Sequence, residues 1–141
     1  MTPPTKTVRV SAEARDQLIR LKRYTRIDQW NILCRWALCR SLAETTRPSA
    51  LHSKEMSNIE MSWAVFTGAL SEVLLLLLRQ RCVEDGIDPK DDKAVAEELS
   101  RHLHRGIATL ASGGEALRSI EDLLALTNEA GGEAGGTRAR R

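Results

Sequence analysis

The chain has 141 residues, 42% of them hydrophobic and 28% charged, with a formal net charge of +2. That length suits one domain with a modest core. No apolar run follows the N-terminal Met, and the longest one, Val73–Leu78, is far shorter than a bilayer span. A cytoplasmic protein with no membrane segment is therefore expected. Charge is unevenly placed: residues 1–50 hold ten Lys/Arg against four acids, a net of +6, and residues 51–141 hold eleven against fifteen, a net of −4. A basic first half facing an acidic second half points to a polyanion as partner, with an inert solvated basic face as the plain alternative. The three cysteines, Cys34, Cys39 and Cys82, sit in helical patterns and fit buried thiols better than disulfides.

Met1–Thr5, with Pro3 and Pro4, reads as a flexible start. Lys6–Val10 alternates, with Val8 and Val10 on one face and Thr7 and Arg9 on the other, which predicts a half-buried strand. A lone short strand is not stable, and no second strand is evident, so pairing with the same strand of another subunit is the economical expectation. Ser11 is placed to cap a helix that runs to about Thr25, with Glu13 in its first turn. Ala14, Leu18, Leu21 and Thr25 form its core stripe, and Arg15, Arg20, Lys22, Arg23 and Arg26 lie mostly away from it. Arg26-Ile27 makes a turn, and Asp28 is placed to cap a second helix, Gln29–Ala43, which is apolar nearly all the way round. Such a helix needs cover from the rest of the chain, from a second subunit, or from both.

Thr45–Asn58 reads as a linker, followed by a long helix over about Ile59–Glu84. Trp63, Phe66, Leu70, Val73, Leu74 and Leu77 mark the core face of that helix, and the Leu74–Leu78 run predicts burial on several sides. Asp85–Asp92 is a polar turn. A helix over about Lys93–Leu110 carries the stripe Val95, Leu99, Leu103, Ile107 and Leu110 before Gly113-Gly114. A last helix is expected over about Glu115–Asn128, then a Gly-rich tail. The fold class predicted is mainly α: a ribbon-helix-helix-like strand-helix-helix part at 6–44, a helical bundle at 59–128 within one domain of 1–128, and a disordered tail at 129–141, the whole homo-oligomeric.

No constellation for catalysis stands out. His102 and His104 point about 200° apart on a helix and share a metal poorly, so a pair of surface or interface histidines is expected. Cys34 and Cys39 have neither redox nor cluster spacing. No phosphate-cradling glycine loop is present. Neither a cofactor nor a metal nor an enzymatic activity is predicted. Trp30 and Trp36 on an apolar helix read as core residues rather than base-stacking ones. The strand–helix–helix opening is the ribbon-helix-helix pattern, in which Thr7 and Arg9 would face the DNA major groove.

Four blocks resemble the DndE family of bacterial DNA phosphorothioation proteins: VRVSAEARDQLIRLKRYTRI, WNILCRWALCRSL, WAVFTGALSEVLLLLLRQRC, and HLHRGIATL with the leucine-rich segment after it. The resemblance covers about residues 6–128. It implies a DNA-binding, mostly helical, tetrameric subunit that prefers nicked duplex DNA. Its partners would be a cysteine desulfurase, an iron–sulfur protein and an ATPase-like protein. One departure stands out: the first interhelical turn often carries glycine in such proteins, and here it reads Tyr24-Thr25-Arg26-Ile27. The DNA-binding set expected from charge and resemblance together is Lys6, Arg9, Arg15, Arg20, Lys22, Arg23 and Arg26. The alternative is a ribbon-helix-helix repressor with an added helical oligomerisation region.

Overall fold

A computed structural model describes residues 2–52, 54–113 and 124. Strand β1 (Thr7–Ser11) runs directly into helix α1 (Ala12–Thr25), followed by α2 (Trp30–Leu42). Strand β2 (Met56–Ser62) comes next, then the short helix α3 (Trp63–Thr67), a 3-10 turn at Gly68–Leu70, α4 (Ser71–Glu84) and α5 (Asp92–Ser112). The predicted helix Glu115–Asn128 and the tail beyond it lie outside the described residues, Leu124 apart.

The alternation in β1 holds, with Val8 and Val10 buried and Thr7 and Arg9 exposed. Its partner corrects the sequence reading. β1 pairs antiparallel with β2 of the same chain, in the register Val8↔Met61 and Arg9↔Glu60. No second subunit is needed to complete this strand. β2 was hidden because Ile59, Trp63, Phe66 and Leu70 fit helical spacing, so residues 45–58 read as linker and Ile59 as a helix start. In the fold Ile59 and Met61 alternate inward instead, and Ser62 caps α3 by accepting from the Val65 amide at 3.1 Å. A bulge between Arg9 and Ser11 is filled by Ser57, whose hydroxyl donates to the Val10 carbonyl at 2.9 Å.

Ser11 caps α1 as its sequence predicts, and Ala14, Leu18, Leu21 and Thr25 are all buried. Asp28 does not cap α2. Gln29 takes that position, and no side chain bonds to the free amides. The chain leaves α1 through Arg26, whose φ of 63° lies in the left-handed region while its amide donates to the Lys22 carbonyl. This is the position where a residue with a Cβ is strained and glycine is not.

The predicted 26-residue helix over 59–84 is broken at Gly68 (φ 58°). The break turns α4 relative to the expected stripe. Trp63, Phe66 and Leu74 are buried as expected, but Leu70, Val73 and Leu77 face outward. The inner face of α4 is Leu74, Leu75, Leu78, Arg81 and Cys82.

Helix α5 buries its whole predicted stripe and lies across α2. The two backbones nearly touch: a Cβ on Gly106 would stand 1.8 Å from the Ala37 carbonyl oxygen. At the C-terminus of α2 two arginines take up the free carbonyls. Arg81 donates to the carbonyls of Leu42, Glu44 and Thr46, and Arg105 to those of Ser41 and Thr46 and to the Ser41 hydroxyl. Beside them Ser41 Oγ lies 2.8 Å from His102 Nδ1.

His102 is buried, and His104 is largely so, which corrects the expectation of surface histidines. Burial first, then the charges of Arg105 and Arg81, push the His102 imidazole down to about 4. His104 Nδ1 donates to the Ser100 carbonyl at 2.7 Å and Nε2 accepts from the Ser11 amide at 3.0 Å. The two bonds fix a neutral tautomer that ties the start of α1 to α5, and burial lowers the pKa of this ring as well.

Three outcomes follow from this packing. Gly106→Ala should destabilise by about 3 kcal/mol or more, since the methyl group meets backbone rather than a movable side chain; a denaturation midpoint equal to wild type would refute the close crossing. Arg26→Gly should stabilise by about 1 kcal/mol by relieving the positive φ, read as a rise in the same midpoint. Because the folded pKa of His102 lies below its unfolded value, its contribution is complete above about pH 6.5. It is lost as pH falls toward 4, by about 3 kcal/mol. His102→Gln should flatten stability against pH in that window, and an unchanged pH profile would contradict the buried neutral ring.

Candidate nucleic-acid interface

The arginines divide into two populations. Inside the fold, guanidinium groups are committed. Arg35 donates to the carbonyls of Phe66 and Val65, and Arg79 to those of Pro89 and Thr2 and to Asp92. Arg47 pairs with Glu98 at 2.9 Å, Arg81 with Asp85 at 3.4 Å, and Arg40 with Glu44 at 3.4 Å. The seven residues predicted to hold DNA form the other population. Lys6, Arg9, Arg15, Arg20, Arg23 and Arg26 are exposed and Lys22 is half-buried. Among the described residues none of the seven takes part in an ion pair.

They fall into three groups. Lys6 and Arg9 belong to the strand pair, where Arg9 lies opposite Glu60. Arg15 and Lys22 follow i, i+7 spacing and so share one stripe of α1, Arg26 follows at its left-handed cap, and Arg20 and Arg23 lie further round the helix. Lys22 is held in place: its Nζ sits 4.1 Å above the Trp30 ring, a cation–π contact joining the end of α1 to the start of α2. Trp30, half-buried against the core, thus supports the basic stripe and still packs as the sequence predicts.

Beside this stripe lies an open cleft of about 560 Å³, lined by Arg15, Asp28, Gln29, Trp30, Asn31, Asn58 and Glu60 among others. Asn31 donates to the Val65 carbonyl at 3.2 Å across it. Sequence reasoning missed this cleft because one wall is β2, which read as the end of a linker and the start of a helix. The alternation of Ile59 and Met61 against Asn58 and Glu60 was the signal that could have found it. A second, smaller cavity of about 240 Å³ sits between α1, α5 and residues 49–52, with His52, His104 and Arg101 on its walls.

One interior cluster has the residue types of a metal site. Ligand atoms of Asp85, Glu98 and His102 lie within 4.8 Å of one another. Most of their ligand atoms are committed, although among the described residues Asp85 Oδ2 is buried without a hydrogen-bond partner. Glu98 accepts from both Nε and a terminal nitrogen of Arg47 and lies 3.9 Å from Arg101, Asp85 pairs with Arg81, and His102 bonds Ser41. The guanidinium groups supply the cationic charge that a metal would bring, so the cluster fastens the segment after α2 onto α4 and α5. The nearby thiols suit neither ligation nor nucleophilic work. Burial pushes Cys34 up to about 12, and burial with Glu98 and Asp85 pushes Cys82 up to about 11, so both stay protonated.

Among known proteins, the fold is similar to the crystal structure of a glycine-to-lysine mutant of DndE involved in DNA phosphorothioation. The TM-score is 0.59 at 22% identity, over 77% of this chain and 98% of that one. No curated protein matches the chain. The family model described as DNA sulphur modification protein DndE matches residues 7–117, which is most of the chain, and on that match this protein belongs to the DndE family.

Proposed function

We propose that this chain is a non-catalytic DNA-binding subunit of the bacterial phosphorothioation machinery, holding duplex DNA through its outward basic surface. The carrying observation is the partition of cations. The described arginines in ion pairs lie outside the seven, and among the described residues none of the seven forms an ion pair. Exposed cations without acidic partners are free to replace the counterions of a phosphate backbone. Arg26 adds weight, because a cation is kept where the backbone would favour glycine.

Nicked duplex is the preferred ligand in this reading, and the protein works in the cytoplasm as a homo-oligomer, with a tetramer favoured. A cysteine desulfurase, an iron–sulfur protein and an ATPase-like protein complete the machinery. The chain brings the DNA and supplies no reacting group or cofactor.

Gel-shift titration of intact and nicked duplexes at several salt concentrations tests the reading. Log affinity should fall linearly with log salt, by about 0.9 per phosphate neutralised. Replacing Lys22, Arg23 and Arg26 together by Gln should lower that slope by roughly two to three and weaken binding at least tenfold. Affinity indifferent to salt, or unchanged in the triple variant, refutes it. Selection from random DNA separates the repressor alternative, which requires a sharp consensus read by Thr7 and Arg9.

A further inference from the structure

The cleft beside the α1 stripe has a mixed wall that binding to a phosphate backbone leaves unexplained. Its volume of about 560 Å³ falls within the range of small-molecule pockets. Arg15 of α1 lines it together with Asp28 and Gln29 of the interhelical turn and Asn58 and Glu60 of β2. All five side chains are exposed. Glu60 lies opposite Arg9 in the strand pair, yet among the described residues neither Glu60 nor Asp28 forms an ion pair.

Two carboxylates beside a basic stripe repel phosphate, so attraction to the DNA backbone does not account for them. A basic peptide or a lone cation is repelled in turn by the neighbouring Arg9, Arg15 and Lys22. The ligand that satisfies both signs is a nucleotide whose phosphate stays on the stripe while its base enters the cleft. Asn and Gln side chains pair with the edge of adenine, and Asp or Glu accepts from the amino group of a base. A base taken out of the double helix also loses its stacking, which aromatic and apolar side chains must replace. The cleft supplies Trp30, Met61 and Val65 for that contact. Trp30 belongs to both parts of the surface, because Lys22 Nζ sits 4.1 Å above its ring. A paired base is held by its partner and covered by its neighbours, so the cleft suits a base that is already unpaired.

We propose that this cleft is a nucleobase pocket, taking one unpaired base from DNA held on the basic stripe. This rests on the DNA-binding function proposed above and adds to it a contact made to a base rather than to phosphate.

Fluorescence anisotropy on the full chain tests it with three labelled duplexes of one length. One is intact, one is nicked with an unpaired adenine at the nick, and one is nicked with an abasic sugar in place of that adenine. The last two carry the same phosphates, so the ratio of their affinities isolates the base. Wild type should bind the adenine duplex about tenfold more tightly than the abasic one, the gain that stacking one base gives. Asn58→Ala combined with Glu60→Ala should bring the ratio close to one and leave the salt slope unchanged, since neither residue holds a phosphate. Both side chains are exposed, so the thermal midpoint of the double variant should stay near wild type. A wild-type ratio of one would overturn the pocket and leave binding of the intact duplex standing. A tenfold ratio retained by the double variant would place the base elsewhere and overturn it equally. Failure to bind any of the three duplexes would overturn the pocket and the DNA-binding function together.

Discussion

The contact that fixes this molecule is the crossing of α2 and α5 at Ala37 and Gly106. With no side chain at Gly106 the two backbones meet directly. That approach brings the end of α2 within reach of Arg105 on α5 and Arg81 on α4. Four carbonyls at and after the end of α2 then receive charged donors, each worth more than a neutral hydrogen bond. A larger residue at 106 would part the helices and leave buried carbonyls and buried guanidinium groups unmatched together.

The same crossing explains how a chain of nearly neutral net charge keeps one surface basic. The acidic second half does not neutralise the basic first half residue by residue. Its buried acids are spent on other arginines: Glu98 on the exposed Arg47, Asp85 on the buried Arg81. The cations of β1 and α1 are therefore left to the solvent side, where a polyanion can reach them. Among the described residues Lys22 is anchored by Trp30 through a π face that leaves the charge in place.

Much of this was legible in the sequence, and the failures share one physical origin. The stripes of α1 and α5 were readable because each helix buries one face with regular spacing, and Ser11 announces its own cap. β2 was not readable because its inward Ile59 happens to fit the helical spacing of Trp63 and Phe66 downstream. The alternative to a second strand, a partner subunit, was then a forced inference from a strand that only looked unpaired. The register of α4 failed for a related reason: Gly68 breaks the helix and turns everything after it, while hydrophobicity alone continues across the break. A helix apolar all round gives no periodic signal for which side faces in. The seven cations were legible as types. Their freedom from ion pairs was not, since it depends on which acids the fold draws inside.

Stability and binding consequently sit on different sets of charges. The interior arginines are matched to carbonyls and carboxylates that would be stranded without them, so removing one costs the fold. Among the described residues the outer cations on α1 and β1 form no ion pair, and like charges spaced along one helix repel weakly. Neutralising them should leave the fold unharmed or slightly steadier while removing affinity for a polyanion. Arg26 joins both sides of this contrast: it strains the backbone at the turn, adds a like charge at the end of α1, and makes no ion pair among the described residues. On the proposed function, the strain at Arg26 would be offset by a phosphate, whose charge fits the guanidinium.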